Sequence, residues 1–205
     1  MVVIVNLHYN CQKNCDLLCM KSYENFVYQN FEYPLSHLNP LYVEYIQPAK
    51  GDKNEKRYRC LIEFSHHCFT KSPNIHKNEA LSDYPRTLHY KTAKEIRIWD
   101  WERYELSKRL PNILKNLDKQ KCFFTSANDK FLTISVQNKS GEIVDYEIYF
   151  SLKKSRTCDV HIFINSAYLR SNDYKPLSGK LKRKPISFFV LLNNTITNKR
   201  IKRPK

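Results

Sequence analysis

A chain of 205 residues is long enough for one hydrophobic core and short for two, and its 41% hydrophobic and 13% aromatic content is that of a folded protein. Only three glycines occur, which argues against the glycine-rich loops that cradle phosphates or dinucleotides. No run approaches the roughly 20 apolar residues that cross a bilayer, and the opening apolar stretch is too short for a signal peptide. We therefore expect a cytoplasmic protein without a membrane partner.

The positive charge is concentrated near the C-terminus. Lysine and arginine number 35 against 20 acidic residues, so the net charge is +15. Residues 175–205 hold ten basic residues and no acidic one. Such a segment gains free energy when it releases counterions from a polyanion, and nucleic acid is the leading candidate. A solubilising tail is the alternative interpretation.

In chain order, residues 1–25 form a predicted N-terminal appendage and residues 26–205 a single α+β domain. The β-prone run at 41–46 and the run at 57–70 flank a polar turn, which predicts a hairpin. A loop with two breaking prolines is expected from 71 to about 92.

The second half of the chain predicts one amphipathic helix and a meander of strands. Apolar residues recur at spacings of three, four and seven over 94–117, and Pro111 should kink or split this helix. The segments that follow, CFFTSA, FLTISVQN, IVDYEIYFSL, DVHIFINSAYL and ISFFVLLNNTI, alternate with turns as strands do. The predicted fold is a helix packed on an antiparallel sheet of four or more strands, preceded by the hairpin.

Seven cysteines are an odd number in a chain with no export signal, so free thiols are expected rather than a disulfide framework. Three of them, Cys11, Cys15 and Cys19, have helical spacing but no clear fourth metal ligand.

The densest group of chemically active side chains is FSHHCFTKS at 64–72. His66 and His67 are candidates for acid and base catalysis, because imidazole titrates near neutral pH. Adjacent residues of an extended chain point to opposite faces, so we expect only one of the two to line a given site. The alternative is one structural histidine with a satisfied hydrogen bond beside one surface histidine.

Zinc is the competing interpretation of the same region. Five side chains offer suitable ligand types: Cys60, His66, His67, Cys68 and His76. No CxxC pair or HExxH helix organises them, so the sequence predicts neither a metal nor another cofactor.

The second candidate group ends the strand DVHIFINSAYL. Ser166, Tyr168 and Arg170 are spaced by two, so on a strand their hydroxyl, phenol and guanidinium point the same way and are suited to one phosphate. A tyrosine capping the sheet edge beside a solvated arginine is the alternative.

Further basic residues are expected to contact nucleic acid. Arg97, Arg103, Tyr104, Lys108 and Arg109 lie on the predicted helix, where arginine and tyrosine interleave as they do on surfaces that stack bases. The other predicted contacts are Arg86, Lys180, Lys182, Arg183, Lys184, Lys199, Arg200, Lys202 and Arg203.

Over about residues 104–170, the order ELSKRLPNILKNL, CFF, FLTISVQ, YEIYFSL and DVHIFINSAY resembles the barnase, EndoU, colicin and RelE-like superfamily of metal-independent ribonucleases, particularly its phage and toxin branches. The resemblance implies RNA cleavage without a metal and a protein partner that neutralises the enzyme. Only Ser166 and Tyr168 match positions where that superfamily places functional groups.

We therefore expect an RNA-directed protein, and more specifically an endoribonuclease in which the RNA 2′-hydroxyl attacks the adjacent phosphate. His66 or His67 would be the acid or base, Arg170 would stabilise charge with help from Arg86, and Ser166 or Tyr168 would orient the phosphate. A non-enzymatic nucleic-acid-binding module of a mobile element and a basic inhibitor that docks an acidic partner are the alternatives. RNA is expected over DNA.

Overall fold

The computed structural model describes residues 22–124, 130–137, 141–169 and 185–201, and it confirms the predicted α+β class. Within these residues no helix is both long and apolar enough to span a bilayer. The cytoplasmic compartment and the division of the chain at residue 25 stay predictions.

The elements are named here in chain order. The strands are β1 (Phe26–Tyr28), β2 (Phe31–Tyr33), β3 (Leu41–Gln47), β4 (Lys56–Phe64), β5 (Thr70–Lys71), β6 (His89–Lys91), β7 (Ile96–Trp99), β8 (Cys122–Phe124), β9 (Lys130–Gln137), β10 (Ile143–Lys154) and β11 (Val160–Leu169). The α-helices are α1 (Trp101–Ser107), α2 (Leu110–Lys115) and α3 (Phe188–Ile196).

The main sheet has six strands in the order β3-β4-β11-β10-β9-β8. The predicted hairpin is confirmed as β3 and β4, and the predicted meander as the antiparallel run from β8 to β11. The hairpin joins the meander through a parallel pairing of β4 with β11, which the sequence did not predict. Because parallel strands end at the same edge, the segments that follow Phe64 and Ile164 lie side by side, and Ser65 N donates to Ile164 O at 2.9 Å.

The core lies between one face of this sheet and the helices. Ile62, Ile162 and Phe150 are fully buried on neighbouring strands. Tyr45 of β3 donates its hydroxyl to the carbonyl of Leu114 in α2 at 2.6 Å, and this bond ties the edge strand to the helical layer.

Four cysteines lie within the described residues, and all four are buried free thiols, as predicted. They are Cys60, Cys68, Cys122 and Cys158. The remaining three, Cys11, Cys15 and Cys19, lie outside the described residues.

The segment predicted as one helix over 94–117 contains a strand and two helices. Its first part, Ile96–Trp99, is strand β7, where β-branched Ile96 and Ile98 suit the pleated backbone. Helix α1 begins only after Asp100, which caps it by accepting the amide of Arg103 at 2.9 Å. The predicted break at Pro111 is confirmed: Pro111 sits in the first turn of α2, where its missing amide donor has no partner to lose.

The predicted loop from 71 to about 92 also carries ordered structure. It contributes strand β6 and the end of β5, which flank β7 in a three-stranded sheet. This small sheet packs against the β1–β2 hairpin: the ring of Trp99 in β7 stacks on the ring of Phe26 in β1, with the ring centroids 4.0 Å apart.

The last predicted strand, within ISFFVLLNNTI, is helix α3 instead. Phe188, Leu191 and Leu192 are buried while Val190 is 45% exposed, which is helical spacing rather than alternation. The aromatic and aliphatic residues favoured a strand locally, but a helix buries three of them at once against β10 and Tyr45.

Replacing Phe188 by alanine should lower the free energy of unfolding by about 3–5 kcal/mol, because it leaves a cavity against Tyr45. Val190→Ala on the same helix should change the free energy by no more than about 0.5 kcal/mol. Chemical denaturation of both variants measures the difference. Equal losses would contradict the helix, since residues 188 and 190 share a face only in a strand.

Candidate functional site

The two adjacent histidines lie in a 3-10 turn, His66–Cys68, directly after β4. The hydroxyl of Ser65 caps this turn by accepting the amide of His67 at 3.2 Å. The prediction that His66 and His67 point to opposite faces was wrong because it assumed an extended backbone. In a 3-10 turn successive side chains are about 120° apart, not 180° as on a strand, so two neighbouring imidazoles can face one site.

Both imidazoles converge on one carboxylate oxygen. His66 Nε2 lies 2.8 Å and His67 Nε2 lies 2.9 Å from Glu95 Oε1. The two rings are perpendicular, with their centroids 4.6 Å apart. The His66 side chain is 11% exposed, while those of His67 and Glu95 are 35% and 38% exposed. The cluster is therefore anchored on the inside and open to solvent on one side.

Glu95 was missed at the level of sequence, since it fell inside the predicted helix. It lies in the tight connection between β6 and β7, where the Thr92 hydroxyl accepts the Glu95 amide at 3.1 Å and donates to the Glu95 carbonyl at 2.9 Å. The sequence does contain a signal for this turn: Thr92 lies three residues before Glu95, and Glu95 directly precedes a β-prone run. That local pattern shows a turn, but it does not show which histidines the carboxylate meets.

Arg97 fixes the other oxygen of Glu95. Its NH1 donates to Glu95 Oε2 at 3.2 Å and to the Ser72 hydroxyl at 2.7 Å, while its Nε donates to the Thr70 hydroxyl at 2.9 Å. Thr70 in turn donates to the carbonyl of His66 at 2.7 Å. Arg97 was expected to contact nucleic acid from a helix, but it is a strand residue that is only 7% exposed. Its donors are directed inward, and it positions the cluster.

The charge states follow from these contacts. Hydrogen bonds from His67 above all, and also from His66 and Arg97, lower the pKa of Glu95 to about 2, against the opposing effect of its partial burial. Burial lowers the pKa of His66, although its bond to Glu95 opposes that shift. Glu95 is thus a carboxylate throughout the physiological range, and His66 favours its neutral form.

The SAYL strand end lies next to the histidine turn, and Arg103 of α1 joins the two. Arg103 NH1 donates to the carbonyls of His67 and Thr70, at 3.2 and 2.8 Å. The carbon of the same guanidinium lies 5.0 Å from the centre of the Tyr168 ring. The two candidate groups, 100 residues apart in sequence, therefore meet at one edge of the sheet.

Ser166 and Tyr168 share a face of β11, opposite Tyr149 and Glu147 of β10. The Tyr168 ring stacks on that of Tyr149, whose hydroxyl donates to Glu147. Glu147 is only 2% exposed. The third predicted member, Arg170, lies outside the described residues.

The other predicted contacts are dispersed. Arg86, Lys199 and Arg200 are exposed and lie on other elements. Tyr104 is 2% exposed, so its ring is part of the core and is not free to stack on a base. Six residues lie outside the described residues: Lys180, Lys182, Arg183, Lys184, Lys202 and Arg203.

The zinc ligands considered from the sequence lie in three separate places. His66 and His67 belong to the cluster with Glu95. Cys60 and Cys68 are buried in the core, where burial raises the pKa of Cys68 to about 12, and His76 is exposed on another turn. Within the described residues, the one group of three metal-ligating side chains is His66, His67 and Glu95, whose ligand atoms all lie within 4.8 Å of one another.

Arg97→Met should lower the free energy of unfolding by about 2 kcal/mol, because it removes three hydrogen bonds, including the charge-assisted bond to Oε2 of Glu95. Lys94→Met, on an exposed side chain three residues away, is the matched control and should change the free energy very little. Chemical denaturation compares them. A loss no larger than that of the control would show that Arg97 does not hold the cluster.

The lowered pKa of Glu95 predicts a pH dependence of stability in metal-free protein. A carboxyl group whose pKa is lower in the folded state stabilises it above the unfolded value, and that contribution is lost as the pH falls from about 4.5 towards 2. Between pH 4.5 and 2, the melting temperature of Glu95→Gln should therefore depend less on pH than that of the wild type. Parallel curves for the two proteins would contradict the assignment.

Comparison with known proteins overturns the resemblance to the barnase, EndoU, colicin and RelE-like superfamily. The model of the YjaZ family matches residues 25–196. Protein YjaZ of Escherichia coli (strain K12) is 27% identical over 171 residues, which cover 83% of this chain and 88% of that protein. No solved structure matches the chain.

The order of elements that carried the resemblance, a helix before an antiparallel meander, is present but is common among unrelated folds. The expected function, an RNA-directed protein or ribonuclease, was wrong with it, and neither alternative fits the family match better. Neither the family match nor the structure of the described residues tests whether the protein binds nucleic acid or a neutralising protein. Both partners stay predictions. Since the family model covers most of its length, the chain belongs to the YjaZ family.

Proposed function

We propose that this protein binds a divalent transition metal ion, with zinc as the first candidate, through His66, His67 and Glu95. The observation that carries the proposal is the convergence of two imidazole Nε2 atoms on a single carboxylate oxygen, at 2.8 and 2.9 Å. Imidazole nitrogen and carboxylate oxygen are ligands that zinc prefers, and two histidines with one glutamate are a ligand set of catalytic zinc sites.

The distances suit an ion with little rearrangement. Zinc binds such ligands at about 2.0–2.1 Å, which places the ligand atoms of a tetrahedron roughly 3.3 Å apart. The two imidazole nitrogens therefore need to move from Glu95 Oε1 by only about half an ångström. The ion would replace the hydrogen bonds that Glu95 now makes with the two Nε2 atoms, and each neutral imidazole would carry its single proton on Nδ1.

The surroundings hold the three ligands in place before an ion arrives. Arg97 binds Oε2 of Glu95 and leaves Oε1 directed at the histidines. The caps from Ser65 and Thr70 hold the turn that carries both imidazoles. Groups that orient metal ligands in this way raise the affinity of a site, because less freedom is lost on binding.

The number of ligands favours chemistry over a purely structural role. Three protein ligands leave a fourth position of a tetrahedral ion free for water or substrate, and the side chains of His67 and Glu95 are about one third exposed there. A metal in such a position activates water and polarises a carbonyl or phosphoryl oxygen. The proposed activity is therefore metal-assisted hydrolysis.

A titration of the purified, metal-free chain with Zn²⁺ should show one site, and His66→Ala, His67→Ala or Glu95→Gln should each weaken it at least tenfold. Cys11, Cys15 and Cys19 are replaced by serine in all proteins compared, so that their thiols do not bind zinc. His76→Ala is the matched control, because it removes an exposed imidazole outside the cluster. It should leave the affinity unchanged.

Cobalt in place of zinc identifies the ligand atoms, since thiolate ligands give a charge-transfer absorption that nitrogen and oxygen ligands lack. The expected spectrum shows tetrahedral cobalt without that band. A site that survives all three cluster variants, or no stoichiometric binding by the unmodified cluster, would refute the proposal.

A further inference from the structure

Arg103 lies where helix α1, the histidine turn and strand β11 meet. One nitrogen of its guanidinium, NH1, donates to the backbone carbonyls of His67 and Thr70, at 3.2 and 2.8 Å. These two hydrogen bonds fix the position of the guanidinium relative to His67. Because His67 supplies a ligand of the proposed metal site, the guanidinium is held against the backbone of a residue that belongs to that site.

The rest of the guanidinium has no counter-ion within the described residues. Asp100 is the acidic neighbour on the same helix, but Oδ1 of Asp100 accepts the backbone amide of Arg103 and Oδ2 faces Lys71 Nζ at 3.4 Å. Neither Nε nor NH2 of Arg103 donates to any acceptor in the part of the chain that the structure describes. Arg97, in contrast, directs its donors to a carboxylate and two hydroxyls.

A partly buried cation with unused donors is costly unless an anion joins it. The guanidinium carbon lies over the Tyr168 ring, 5.0 Å from the ring centre, and Nε and NH2 are left as donors without a hydrogen-bond acceptor among the described residues. That ring is itself held by stacking on Tyr149 at 5.4 Å. A guanidinium fixed in this way presents a planar pair of donors, and such a pair matches the oxygens of a carboxylate or phosphate.

The sequence predicted a phosphate at this strand end through Ser166, Tyr168 and Arg170. Ser166 and Tyr168 do share a face of β11, and it is Arg103 that brings a guanidinium to Tyr168. A bound metal would add two positive charges beside this guanidinium, which favours an anionic ligand further.

We infer that the substrate of the proposed metal site carries an oxyanion, a phosphate or carboxylate group, which binds the free edge of Arg103 beside Tyr168. The inference rests on the proposed metal-binding function and adds the chemical class of the substrate. The reacting bond would lie at the metal, and the oxyanion would orient the molecule from Arg103.

The experiment titrates inorganic phosphate, and separately acetate, into the zinc-loaded chain and follows binding by calorimetry. Arg103→Gln should weaken the binding of the preferred anion at least about tenfold, because a charge-assisted pair is lost. Arg156→Gln is the matched control: it removes the same charge from the exposed turn before β11, at the opposite end of that strand. It should leave anion binding unchanged, and the stronger of the two anions names the group.

Zinc affinity is measured on the same proteins, so that the two ideas fail separately. Absence of zinc binding in the unmodified chain overturns the proposed function and the inference with it. Normal zinc binding with equal anion affinity in wild type and Arg103→Gln overturns the inference alone.

Arg103→Gln also removes bonds to two backbone carbonyls, so its fold is checked by circular dichroism and thermal melting. If that variant unfolds, Arg103→Lys replaces it. Lysine keeps the charge and reaches the carbonyls but lacks the planar pair of donors, so anion binding should still fall severalfold while zinc affinity holds. Anion affinity in Arg103→Lys equal to that of wild type would count against the inference.

Discussion

The parallel pairing of β4 with β11 is the constraint on which the candidate site depends. It is the one parallel contact in an otherwise antiparallel sheet within the described residues. Parallel strands finish at a common edge, so the histidine turn after β4 and the SAYL end of β11 become neighbours. Were β4 and β11 antiparallel, the two groups would lie at opposite ends of the sheet, and Arg103 could not contact both.

At that edge, Glu95 has the central electrostatic role. One carboxylate accepts from two imidazoles and a guanidinium, which lowers its pKa to about 2 and keeps it ionised. The small sheet of β5, β6 and β7 positions this carboxylate. The β6–β7 connection holds Glu95, and β7 itself carries Arg97. The same arrangement suits the proposed metal ion, since it gathers hard and borderline ligands and leaves one side open.

The positive charge of the chain was the main argument for a nucleic-acid partner. Counting lysines and arginines treats every one as a surface group, yet Arg97 is buried and Arg103 binds backbone carbonyls. A long arginine side chain with several donors is also well suited to form hydrogen bonds with several loops at once from a buried position. In this fold the two arginines hold the histidine turn and Glu95 in place.

Local pattern by itself determined much of this protein. The β3–β4 hairpin, the meander of β8 to β11 and the break at Pro111 were all predictable, because turns, proline and alternation act over a few residues. Strand β7 and helix α3 were misread because β-prone residues suit either state until their packing partners are present. Only the tertiary structure decided that Glu95 meets both histidines and that Arg103 reaches Tyr168. Those contacts join residues 28 to 65 positions apart, and their geometry depends on which strands pair, a choice that the whole core makes together.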